Sequence, residues 1–165
     1  MNLPHTDAPQ IALQIFIVAS QHPPSVHGGL AAVTVRTDQD GVVLSTTENS
    51  AYHRGETAPR LEMIAAIAAL DALGSCTSEP IVLLAGSNLI PNAMTIHLPK
   101  WKVQGWIKKD LSPVANRDLV ERLEAAAKGR NIEWRMAKDA TYQGHHLRAK
   151  QIALASANSG KYRPD

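Results

Sequence analysis

Residues 101–126, WKVQGWIKKDLSPVANRDLVERLEAA, are the stretch on which the reading of this chain turns. The first part has no clear period and mixes lysine with tryptophan: Lys102, Lys108 and Lys109, with Lys100 just before, surround Trp101 and Trp106. Cationic groups beside aromatic planes suit a polyanion, with ammonium groups on phosphates and rings against sugars or bases. The competing role for the tryptophans is to pack inward and fix the segment, which still leaves the lysines in solvent. The second part opens a strong helix over 116–129, with Leu119, Leu123, Ala126 and Ala127 on one stripe and Gly129 ending it.

Working outward, residues 131–137 (NIEWRMA) read as a last strand and 147–157 as a last helix, followed by a polar tail from Ser159. Upstream, 81–85 (IVLLA) is a short continuous apolar run, the pattern of a strand buried on both faces, and 88–96 reads as a short helix. Thr57-Ala58-Pro59 is a helix start, with Thr57 as N-cap and a proline in the first turn. That helix runs to Leu73 with Leu61, Ile64, Ala65, Ala68 and Leu73 near one face, and Gly74 terminates it. Residues 11–20 and 29–37 are β-rich, joined through a turn carrying Pro23, Pro24, Gly28 and Gly29. Asp38-Gln39-Asp40-Gly41 has hairpin chemistry and opens a third strand over 42–49. Three antiparallel strands followed by alternating helices and strands predict an α/β domain on a mixed sheet.

At 165 residues and 17.8 kDa the chain suits one domain, taken as 11–158 between a flexible lead (1–10) and a flexible tail (159–165). Hydrophobic residues at 44% and charged residues at 19% argue against global disorder. The longest apolar stretches, near 11–19 and 63–70, fall short of the ~18 residues that span a bilayer. The N-terminus lacks a basic region followed by an apolar run, and Cys76 is the only cysteine, so a cytoplasmic domain without disulfides or a Cys-rich zinc site is expected. The net charge of +2 hides an asymmetry: residues 1–99 carry −5 and residues 100–165 carry +7. A basic half on a nearly neutral chain points to a polyanionic partner.

Other candidates for chemistry are weaker. His145 and His146 are adjacent and point apart on a helix, so with His22 or His27 they make a poor metal site, and His27 reads as solvated. Cys76 has no basic neighbour in sequence, and Ser20 and Ser87 sit at strand ends without an adjacent base.

Four segments together resemble type 1 ribonuclease H: IFIVAS at 15–20, TAPRLEMIAAIAALDAL at 57–73, the stretch at 101–126, and IEWRMAK at 132–138. The likeness runs from about Gln14 to Ala157, and the 101–126 stretch matches the family's basic protrusion. The resemblance implies a ribonuclease H-like fold: a five-stranded mixed sheet, three strands antiparallel and then two parallel, flanked by helices. It also implies hydrolysis of the RNA strand of an RNA–DNA hybrid by two Mg²⁺ or Mn²⁺ ions held by four carboxylates, with a mobile histidine assisting. In this chain the carboxylate positions are Val18, Glu62, Gly86 and Lys150, and the histidine position is Ala140. Only Glu62 is retained, and one carboxylate neither neutralises nor orients two dications. The expectation is therefore a catalytically inactive relative without a metal cofactor. The same geometry predicts a Lys150–Glu62 ion pair replacing the metals' charge.

The contacts to nucleic acid survive better. Thr57 matches a hydroxyl that takes a phosphate, and Asn88 stands in for a glutamine that reaches the minor groove. Lys100, Trp101, Lys102, Trp106, Lys108 and Lys109 complete the expected interface. Ala58 and Pro59 replace the asparagines that read the hybrid's groove, and His97 replaces a channel tryptophan, so affinity outlasts hybrid selectivity. The alternative is a protein-interaction or homodimerisation module on the same scaffold, and a third reading is a residual metal-dependent hybrid endoribonuclease.

Overall fold

The chain is described from a computed structural model, which covers residues 11–21, 26–74, 79–137 and 143–160. Residues 1–10, expected as a flexible lead, His22, Pro23, Pro24, Cys76, Ala140 and the residues beyond 160 lie outside the described residues. β1 (Ala12–Gln21), β2 (His27–Thr37) and β3 (Val43–Arg54) form an antiparallel meander. The β2–β3 turn is local chemistry: the Asp38 carboxylate accepts the N–H groups of Asp40 and Val42, both at 2.9 Å, and Gly41 takes φ +80°. β3 continues five residues beyond its expected end at Asn49, because residues 50–54 (SAYHR) still find backbone partners along β2.

α1 (Ala58–Ala72) starts where Thr57 Oγ1 accepts the Arg60 N–H, with Pro59 in the first turn. It leads to β4 (Ile81–Ala85), which lies parallel beside β1, and β5 (Ile132–Met136) adds parallel to β4. The sheet order is therefore β3-β2-β1-β4-β5, the five-stranded mixed sheet expected from the sequence.

Strand alternation makes two cores. On β1, Leu13, Ile15 and Ile17 face α1 and α4 (Arg117–Ala127), whereas Phe16 and Val18 face α5 (Gln143–Ser159). The α1 stripe is wider than the sequence suggested: Met63, Ala66, Ile67, Ala69 and Leu70 are buried and Ala68 is exposed. The helix packs on β1 and β2 along one side and on α4 along another, so its periodicity is blurred. α5 closes the opposite face through Ala149, Ala153 and Ala157, all fully buried. A Cβ at Gly29 of β2 would collide with the Ala153 carbonyl, so the helix backbone lies directly on the strand there. The helix starts before Leu147 and continues through Ser159, and Gly160 is buried against the Tyr52 ring.

The expected short helix over 88–96 is longer. α2 (Leu89–Asn92) passes through a π turn (Ala93–His97) into α3 (Leu98–Val103). Pro99 supplies no N–H to the Thr95 carbonyl, and the ladder widens instead, with the Leu98 N–H reaching the Ala93 carbonyl. Among the described residues no helix is long and apolar enough to cross a membrane.

Candidate functional site

β1 and β4 are parallel neighbours, and the crevice beyond the carboxyl ends of such strands is where α/β sheets place ligands. Val18 lies near the end of β1, and Gly86 follows the last residue of β4. α1 brings Glu62 to the same end from one face, and α5 brings His146 and Lys150 from the other. Val18, Glu62, Gly86 and Lys150 line one cavity of about 220 Å³, together with Ala19, Ala58, Ser87 and His146. Four positions far apart in sequence thus converge as the resemblance implied. The fifth, Ala140, is outside the described residues.

Glu62 is the buried charged residue of the core, at 7% exposure. Ser87 holds both its oxygens: the backbone N–H donates to Oε1 at 3.2 Å and the hydroxyl to Oε2 at 2.9 Å. Burial raises the Glu62 pKa, and these two donors pull partly the other way. Lys150 is not its partner: among the described residues no ion pair joins them, which corrects the expected Lys150–Glu62 bridge. Ser87 outcompetes the ammonium because it sits on the turn directly after β4, with two donors in place.

Two cavity residues were undervalued in the sequence. Ser87, read as a surface hydroxyl, is the partner of Glu62. His146, set aside as a poor metal ligand, lies one turn before Lys150, and that i, i+4 spacing was the available signal. Its pKa is lowered by burial and then by the Lys150 charge, and Nδ1 has no hydrogen-bond partner. His27 is not solvated as expected; its Nδ1 is 2.7 Å from the Tyr52 hydroxyl, across the β2–β3 pair.

Ser87, Asn88 and Leu89 are consecutive and lead from this cavity to a second depression of about 280 Å³, lined by Leu89, Asn92, His97, Trp101, Lys108 and Asn116 among others. Here the protrusion is built around Trp106, whose N–H bonds the Trp101 carbonyl while its own carbonyl accepts from Val114. Trp106 takes φ 64° and is 8% exposed, under the Arg117 guanidinium at 5.0 Å from the ring centroid. It is a packing residue rather than the exposed plane expected of an interface. Trp101 is half-buried, with its ring stacked on His97 at 5.3 Å.

Lys100, Lys108 and Lys109 are exposed and make no salt bridge among the described residues. Lys102 is paired with Glu124 of α4, which weakens its expected role toward phosphate. Thr57 and Asn88 are both exposed. Beside Thr57, Arg60 grips Asp118 through two bonds of 3.0 and 2.9 Å and also reaches Glu56 and Asn116. That network ties the start of α1 to the start of α4 and holds the Asp118 carboxyl below its ordinary range.

A protein-family profile described as RNase H matches residues 12–149. A ribonuclease H from Cereibacter sphaeroides (strain ATCC 17029) is 35% identical over 127 residues, covering 77% of this chain and 76% of its own. One from Photorhabdus laumondii is 36% identical over 116 residues, covering 69% and 70%. Among solved structures, LC9-RNase H1, described as a type 1 RNase H with the type 2 active-site motif, superposes with a TM-score of 0.77. That match is 20% identical and covers 93% of this chain and 75% of the other. LC11-RNase H1, solved in complex with RNA/DNA hybrid, gives 0.64 at 19% identity, over 90% of this chain and 98% of the other.

Proposed function

The chain belongs to the ribonuclease H family, and from that membership we propose that it is a catalytically inactive member that binds nucleic acid through its basic C-terminal half. One observation carries the reading: Val18, Gly86 and Lys150 share the cavity with Glu62, the sole carboxylate among the described residues that line it. Two-metal phosphoryl chemistry needs several hard anionic oxygens around two adjacent dications. A single carboxylate, with both oxygens already accepting from Ser87 and a lysine in the same wall, does not fit a pair of Mg²⁺ or Mn²⁺ ions. Among the described residues no cluster of three His, Cys, Asp or Glu side chains has the proximity to hold a metal.

Binding rests on different groups. Lys100, Lys108 and Lys109 are exposed and in no salt bridge among the described residues, although the Asp110 carboxylate lies close enough to Lys108 to feel its charge; Trp101 offers part of a ring face, and Thr57 adds a hydroxyl at the start of α1. Phosphate contacts position a duplex without reading its sequence. The relative LC11-RNase H1, solved with RNA/DNA hybrid, makes such a hybrid the first ligand to test. In a panel of hybrid, double-stranded DNA, double-stranded RNA and single strands, affinity falls steeply with salt. Lys108→Ala and Lys109→Ala each flatten the log–log slope by about 0.9, the value for one phosphate that the lysine no longer neutralises. Salt-insensitive binding, or a stable dimer indifferent to every nucleic acid, contradicts the reading and favours an interaction module.

A further inference from the structure

The cavity itself has a composition that suits an anion. Lys150 lines it and has no carboxylate partner among the described residues. Glu62, the one carboxylate among the described lining residues, takes its hydrogen bonds from Ser87 and forms no ion pair with the ammonium. Gly86 contributes no side chain: a Cβ there would meet Glu62 Oε1 at 3.7 Å and His146 Cε1 at 3.9 Å, so the space between these walls is left open. Val18 and Ala19 add apolar surface to the lining. Ser87 lines this cavity and Leu89, two residues on, lines the depression that Lys108 also borders, so the two lie near each other along the chain.

We propose that this cavity is a phosphodiester site, in which the Lys150 ammonium binds one backbone phosphate of the duplex held by the protrusion. The inference rests on the nucleic-acid-binding reading above and adds a second, separate anchor to it. The charge that faces the backbone is then part of the protein, and binding proceeds without a divalent cation. His146 stays neutral beside Lys150 because burial and that neighbouring charge both oppose its protonation, so Lys150 is the cation of the site. Burial likewise favours the uncharged form of Glu62, which lowers its repulsion of a phosphate.

Lys150 is exposed on α5, so its substitution leaves the fold intact. The test titrates wild-type protein, Lys150→Ala and Lys150→Arg with a short fluorescent RNA–DNA hybrid. It is repeated on a series of hybrids that each carry one neutral methylphosphonate linkage. Lys150→Ala lowers the salt slope by about 0.9, the value for one phosphate, and Lys150→Arg restores it. For one member of the series the alanine variant binds as well as wild type, because the linkage that Lys150 would face is already neutral. Lys150→Ala binding that equals wild type throughout, or an equal loss of affinity for every member of the series, overturns the site while leaving the protrusion reading intact. No binding of any duplex by the wild-type protein overturns both.

Discussion

Glu62 is a carboxylate at 7% exposure whose oxygens are both taken by one serine, and burial raises its pKa. A raised carboxylate pKa means the folded state holds the proton more tightly than the unfolded chain. Stability therefore falls as pH rises from the ordinary glutamate value through the raised one. Glu62→Gln keeps an oxygen for Ser87 and removes the charge, so denaturant unfolding followed against pH loses that slope and the variant is the more stable near neutrality. An unchanged pH profile refutes the burial argument. Position 18 plays a different part: Val18, at 7% exposure, packs with Phe16, Ala31 and Ala149, so the residue serves the α5 core. The identities at 18, 62, 86 and 150 were legible because they fall within or beside recognisable segments. Their partners were not, since Ser87 reaches Glu62 across 25 residues and only folding brings the two together.

Elements with strong local signals were legible almost to the residue. β4 matches residue for residue, and the Thr57 cap and the Asp38–Gly41 turn are made by side chains two to four positions away. Two features were set by tertiary context instead: the pairing that prolongs β3 to Arg54 and the burial of Trp106 under Arg117. The Lys102–Glu124 pair belongs with them, because it joins the protrusion to α4 across a loop that carries no period. The α5–sheet contact makes a sharp prediction. Ala149, Ala153 and Ala157 let the helix rest on Gly29, where an added Cβ has no space against the Ala153 and Ala157 backbone. Gly29→Ala destabilises by about 1–3 kcal/mol, measured as a shift of the denaturation midpoint at unchanged m-value. Neutrality would mean that α5 yields more readily than its packing implies.

Across the whole molecule, the −5 and +7 halves of the chain acquire a spatial meaning. The acidic half supplies β1–β4 and α1, and the basic half supplies the protrusion, α4, β5 and α5. On the proposed reading, a valine near the carboxyl end of β1, a glycine just after β4 and a lysine on α5 give the cavity no dication site, while the lysines around Trp101 remain. Because the scaffold still converges on one cavity, the combined variant Val18→Asp, Gly86→Asp, Lys150→Asp regains Mn²⁺ binding in a calorimetric titration, and the wild-type chain gives no such heat. Gly86 permits this, since nothing lies closer than 3.7 Å to an added Cβ. Failure of the combined variant to bind, though folded, would place the loss elsewhere than in these three residues.

The most direct measurement is an incubation of the purified wild-type protein with end-labelled RNA–DNA hybrid and Mg²⁺ or Mn²⁺, at concentrations where a gel shift shows the hybrid bound. A cavity with one carboxylate predicts a bound but intact RNA strand in either metal. Metal-dependent cleavage that disappears in Glu62→Ala would contradict it.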